Sequence, residues 1–224
     1  MSNAKTDEPN SVAPDRLKAL ADGVFAIVMT LLVLELTVPA ATEVAHSGGL
    51  ARVLAEMWPE FLFYGLSFLI LGIFWLVHHM IFDVIERSDP TLVWLNIVYL
   101  LFAALIPFST ALYGKHSGET ISATIYGANQ LLVFFMGFSI WSYATGKNRL
   151  TTGDVDPALI KGTKMMGYLY FIVLLIAIGL SFVDPLVSTI IYAAFAIIFI
   201  ALTTFGLADR AVSLQTKRKK DADS

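Results

Sequence analysis

Cysteine is absent from all 224 residues, which excludes disulfides, thiolate metal sites and a cysteine nucleophile. Charge is scarce as well: Asp, Glu, Lys and Arg make up 15% of the chain, against about 25% in a typical soluble domain. There is no GxSxG elbow, no HExxH helix, no glycine-rich phosphate loop and no carboxylate pair at a useful spacing. The common hydrolytic and phosphoryl-transfer chemistries therefore lack their residues, and neither enzyme activity nor a cofactor is expected. The first 15 residues hold no apolar run and do not read as a cleaved signal peptide. Apart from the basic run Lys217, Arg218, Lys219 and Lys220, nothing points to nucleic acid.

Hydrophobic residues make up 57% of the chain, and they are gathered into long blocks. Blocks of this length point to an all-α integral membrane protein rather than to a large soluble core. Six segments stand out, at about 18–38, 57–83, 91–113, 120–145, 163–183 and 186–208. Pro39, Pro90 and Pro185 stand at or beyond segment ends, where helices tolerate proline. Pro107 falls inside the third segment and predicts a kink. Trp58-Pro59-Glu60 resembles an aromatic anchor at headgroup depth. The chain thus divides into a polar segment 1–15, a six-helix membrane domain 16–210 and a basic tail 211–224.

Six spans put both termini and the connections after spans two and four on one side. That side holds thirteen Lys and Arg residues, and the other holds only Arg52 and Lys115. Such asymmetry predicts cytoplasmic termini, because basic loops stay on the cytoplasmic side. The two halves of the chain show no convincing repeat, which argues against an inverted-repeat transporter and for several identical subunits sharing one pathway.

The first span carries charge near both ends: Arg16, Lys18 and Asp22 at its start and Glu35 about 20 Å further along. Between them Ile27, Leu31 and Leu34 share one helical face, with Thr30 beside them. His78, His79, Trp94 and Asn96 fall at the depth of Arg16 and Asp22, so these polar groups are candidates for a latch that joins three helices. Adjacent histidines on a helix point about 100° apart and cannot chelate one ion, so no tightly bound metal is expected at His78-His79. Glu35 reads equally as a cation-attracting carboxylate at an outer pore mouth or as an interfacial residue bonded to a neighbouring helix. A secondary transporter using Asp22 or Glu35 as an ion or proton site, or a non-conducting scaffold, remains the alternative on these residues alone.

The segment RLKALADGVFAIVMTLLVLEL resembles the first helix of the bacterial homologues of transmembrane protein 175, the endosomal and lysosomal potassium channel family. That family's hallmark is Arg, three residues, then Phe-Ser-Asp and a GVFAI-like stretch. Arg16, Asp22, Gly23, Val24, Phe25, Ala26 and Ile27 match it, while Leu20 and Ala21 replace the Phe and Ser. The resemblance continues through WLVHH at 75–79, LVWLN at 92–96 and LIPFSTALYG at 105–114. It implies a weakly to moderately potassium-selective leak-type cation channel in a prokaryotic plasma membrane, assembled as a homotetramer with the first helix of each subunit around the axis. The family has no TVGYG filter, and neither does this sequence. By resemblance, Ile27, Leu31 and Leu34 form a hydrophobic constriction, Thr30 contributes to potassium preference, and Arg16, Asp22, His78 and Asn96 support the pore helix.

Overall fold

The computed structural model describes residues 12–151 and 155–198, and every long element in it is an α-helix. The helices are α1 (Pro14–Leu31, extended by a 3-10 turn Leu32–Glu35), α2 (Ala41–His46), α3 (Leu50–Glu56), α4 (Trp58–Phe82), α5 (Pro90–Ala104), α6 (Ile106–Lys115), α7 (Thr120–Thr145), α8 (Pro157–Leu180) and α9 (Pro185–Ile198). Five stretches are long and apolar enough to cross a membrane: Pro14–Glu35, Trp58–Phe82, Pro90–Lys115, Thr120–Asn148 and Pro157–Leu180. The chain is therefore a multi-pass helical membrane protein. The expected sixth span, 186–208, begins as α9, and its remainder lies outside the described residues.

Three helix starts share one local cause. Asp89, Asp156 and Asp184 each precede a proline, and each carboxylate accepts a backbone N–H from the first turn at 2.8 Å. Proline at the first helical position loses nothing, since its missing N–H would have had no partner there. The Asp156-Pro157 start corrects the fifth span, which begins six residues before the expected 163 and takes Lys161 and Lys164 into the helix. Pro14 likewise starts α1 ahead of the expected 18. Beyond Glu35 the backbone turns extended at Leu36, so the first span ends before the expected 38. Leu105 interrupts the third span, and Pro107 lies in the first turn of α6, as its position predicts.

The bundle is organised around α7, which packs against α4, α5, α6 and α8. Its buried face carries polar groups that bond within the protein. Tyr126 shares a 3.0 Å hydrogen bond with Ser67 of α4, to which Thr110 of α6 donates at 2.7 Å. Asn129 donates to Ser109 of α6 at 3.0 Å. Lipid offers no hydrogen bonds, so side chains of this kind hold spanning helices together where apolar packing alone cannot select a partner. At the end of the bundle where α1 begins and α4 ends, the loops after α4 and α7 are joined by a short antiparallel bridge between Ile85 and Thr151. Tyr143 there donates to Asp89 at 2.5 Å and lies beneath the Arg149 guanidinium, 4.7 Å from the ring centre. On opposite sides of this framework, α1 and α8 are the least buried of the spans.

Candidate functional site

One stripe of α1 packs against its own subunit and the other does not. Leu17, Ala21, Phe25, Val28 and Leu32 recur at intervals of three and four residues and are all buried, facing α4, α5 and α6. The opposite stripe leaves Ile27 60%, Leu31 43% and Leu34 73% exposed, with Leu20, Gly23 and Thr30 exposed along the same line. The Thr30 hydroxyl is tied to its own helix and donates to the Ile27 carbonyl at 2.7 Å.

Polar contacts hold the second and third turns of α1 against α4. Asp22 accepts a 2.8 Å hydrogen bond from Trp75 Nε1, and His79 Nδ1 stands 3.6 Å from the same oxygen, too far for a hydrogen bond but within ion-pair range. Trp75 and His79 are one turn apart on α4, their rings 5.0 Å apart, which is why both reach one carboxylate. One turn earlier on α1 and one turn later on α4, Lys18 donates to Asp83 at 2.7 Å. The two helices run antiparallel, so these contacts form consecutive rungs.

His78 turns the other way. It is buried, and its Nε2 is 2.8 Å from Asn96 Oδ1 of α5. Its ring stacks between Phe82 at 4.4 Å and Tyr99 at 5.3 Å. With the Asn96 oxygen accepting, Nε2 carries the proton. His78 Nδ1 and Asn96 Nδ2 have no hydrogen-bond partner among the described residues. The expected single latch is thus two separate links, Asp22 with Trp75 and His79, and His78 with Asn96, because adjacent residues on α4 face different neighbours.

Two expected members stand outside both links. Arg16 is exposed and has no side-chain hydrogen bond or ion pair among the described residues, so Asp22 is not its partner within the subunit. Trp94 is 66% exposed, because its position on α5 faces away from the bundle. Glu35 is half-buried and has no side-chain partner among the described residues, while nearby Thr37 lies 3.5 Å from Lys115. Sequence reasoning missed Trp75, Lys18 and Asp83 as contacts. The Trp75–His79 spacing of four was visible and marks a face able to meet a carboxylate on a neighbouring helix.

A helical membrane protein whose first span is bracketed at one end and uncovered along one apolar stripe is the class these features define. Comparison with known proteins gives the family. The family model described as endosomal/lysosomal potassium channel TMEM175 matches residues 16–107. A potassium channel of Streptomyces collinus is 32% identical over 173 residues, covering 75% of this chain and 82% of that protein. Another, of Chamaesiphon minutus, is 30% identical over 200 residues, covering 86% and 96%. The crystal structure of a lysosomal potassium-selective channel TMEM175 homolog from Chamaesiphon minutus superposes with a TM-score of 0.75 at 27% identity, covering 84% of this chain and 96% of that one. The chain belongs to the TMEM175 family and is a bacterial-type homologue.

Proposed function

We propose that this protein is a potassium channel whose conduction path is lined by α1 from several copies of the chain. The observation that carries this reading is the uncovered stripe of α1. A spanning helix buried along Leu17, Ala21, Phe25, Val28 and Leu32 leaves Ile27, Thr30, Leu31 and Leu34 for contacts outside the subunit. Similarity to the potassium channels of Streptomyces collinus and Chamaesiphon minutus supports assigning those contacts to an ion path rather than to lipid.

In this reading four subunits surround the axis, and the Ile27, Leu31 and Leu34 side chains form apolar rings that gate by dewetting and steric closure. Thr30 adds a hydroxyl between the rings, and Glu35 stands at the outer mouth. Asp22, His79, His78 and Asn96, joined by Trp75, fix α1 from behind. The Arg16 and Trp94 side chains make no polar contact among the described residues, so in this reading any support they give comes through another copy. The basic end of the bundle faces the cytoplasm of a prokaryotic cell, in keeping with the thirteen-to-two distribution of Lys and Arg.

Ion flux from liposomes containing purified protein tests the proposal, with potassium and sodium gradients compared and Ile27→Asn measured alongside. Potassium flux above sodium flux, with the ratio lowered by Ile27→Asn, is the expected result. An unchanged ratio and rate in both Ile27→Asn and Leu31→Asn would remove this stripe from the path, and no flux from any form would remove the channel.

A further inference from the structure

The first half of α8 carries a shallow depression of about 500 Å³, lined by Pro157, Ile160, Lys161, Lys164, Met165 and Tyr168. These residues recur at intervals of three and four, so they form one stripe of the helix. The depression is largely apolar although two of its lining residues are lysines, and the reason is direction. Side chains on a helix lean toward its N-terminus, so the lysine stems line the depression while their ammonium groups reach past it toward the start of α8. Lys161 and Lys164 are three residues apart, about 5–6 Å between Cβ atoms, close enough for both to meet one anion. No lining residue is acidic. The ion pairs among the described residues are Lys18–Asp83, Arg52–Glu56 and His79–Asp22, so neither lysine has an anionic partner there. Asp156, the nearest carboxylate along the chain, accepts from the Ala158 N–H at 2.8 Å ahead of the helix.

Deeper along the same side the surface changes character. Tyr168 stands about 16 Å from the start of α8, exposed, with its ring meeting Phe138 edge-on at 5.3 Å. Beyond it Ile172, Leu175 and Ile176 are exposed as well. Basic, then aromatic, then aliphatic is the order in which a leaflet presents phosphate, glycerol esters and acyl chain. α8 packs on α7, whereas α1 packs on α4, α5 and α6. An assembly with α1 at the axis therefore turns this stripe of α8 to the bilayer rather than to another copy, and the inference rests on that reading. We propose that the depression binds one anionic phospholipid of the leaflet at the basic end of the bundle. Its phosphate sits between the Lys161 and Lys164 ammonium groups, its glycerol esters lie at the level of the Tyr168 hydroxyl, and one acyl chain runs along Ile172 and Ile176. A zwitterionic lipid brings its own ammonium group to the same place, and two unpaired lysines disfavour it.

The test uses the full-length protein in phosphatidylcholine nanodiscs, doped with phosphatidylglycerol carrying a photoreactive diazirine in one acyl chain. A phosphatidylcholine probe with the same chain is run in parallel at equal mole fraction. After illumination, peptide mass spectrometry compares label on residues 165–176 with label on the rest of the chain. The expected result is a preference for the glycerol lipid concentrated at 165–176. Lys161→Gln and Lys164→Gln keep much of the stem and remove the charge, and each lowers that preference about fivefold. Lys161→Arg combined with Lys164→Arg retains it. Soluble glycerol phosphate in excess leaves the label in place; displacement by it would assign the lysines to a free phosphate and overturn the lipid. Equal labelling by the two lipids, or a preference indifferent to both Gln variants, would mean ordinary annular lipid and would overturn the site while leaving α1 at the axis. A stripe that neither probe reaches would mean that protein covers it, against both the site and the axial α1. The label is read without ion flux, so a failed flux test does not touch it.

Discussion

Removing the Trp75–Asp22 contact separates the observed bracket from a direct Arg16–Asp22 pair. Hydrogen bonds to a charged group contribute about 1.5–3 kcal/mol when well shielded. Here the Asp22 side chain is 47% exposed and Trp75 is 38% exposed, so water and headgroups compete for both. The discounted contribution is about 1–2 kcal/mol, which on the scale of domains of this length shifts a melting midpoint by roughly 2–8 °C. A double-mutant cycle isolates the pairwise part. Asp22→Ala and Trp75→Phe should each lower the midpoint of the purified protein in detergent, and together they should cost less than the sum of the two. Arg16→Ala combined with Asp22→Ala should be closer to additive. An additive Trp75–Asp22 cycle, or an Arg16–Asp22 coupling larger than the Trp75–Asp22 one, would refute the geometry.

Asn96→Leu should cost more than Lys18→Ala, because it strands a buried His78 N–H at about 1–3 kcal/mol, whereas the Lys18–Asp83 pair is partly solvated and worth about 0.2–1 kcal/mol. Adding salt should weaken the Lys18 effect and leave the Asn96 effect unchanged in the same melts. Gly127→Ala should destabilise by about 1–3 kcal/mol, since a Cβ there would overlap the Tyr192 hydroxyl and press on Ile178. Gly23→Ala, whose added methyl meets no atom of another element within 4 Å among the described residues, should not destabilise a lone subunit, so any loss it causes reports contact with another copy. Thr30→Val should leave the melting midpoint nearly unchanged, as its hydroxyl bonds only its own helix on an exposed face, and a change in the potassium-to-sodium flux ratio would register its part in the path.

Much of this architecture was legible in the residues because hydrocarbon imposes a strict length and polarity on whatever crosses it. The second and fourth spans fall within a residue of α4 and α7, and Pro107 breaks the third as its ring requires. The fifth span began earlier than hydropathy suggested. Lys161 and Lys164 depress the apolar average, while the stronger local signal is an Asp-Pro pair: Asp156 accepts from the Ala158 N–H just ahead of the helix, and Asp89 and Asp184 start α5 and α9 in the same way. Helical depth placed the polar residues near one level but could not fix their azimuth. His78 and His79 share a level and diverge by one residue's rotation, so each serves a different neighbour. Trp94 shows the same limit: its direction follows from how α5 packs against α7, which spacing along the chain does not give.

The rungs between α1 and α4 are unevenly distributed along the helix. Lys18 and Asp22 fasten its second and third turns by polar bonds, whereas Thr30 to Leu34 are held by apolar packing of Val28 and Leu32 against α4 and α6, with no side-chain hydrogen bond to another helix among the described residues. A rod clamped at one end moves least at the clamp and most at its tip. The same small tilt that barely disturbs Asp22 therefore displaces Leu34 several times further. Any motion of α1 that preserves its rungs is a swing about the basic end, and its amplitude is greatest where the exposed leucines stand.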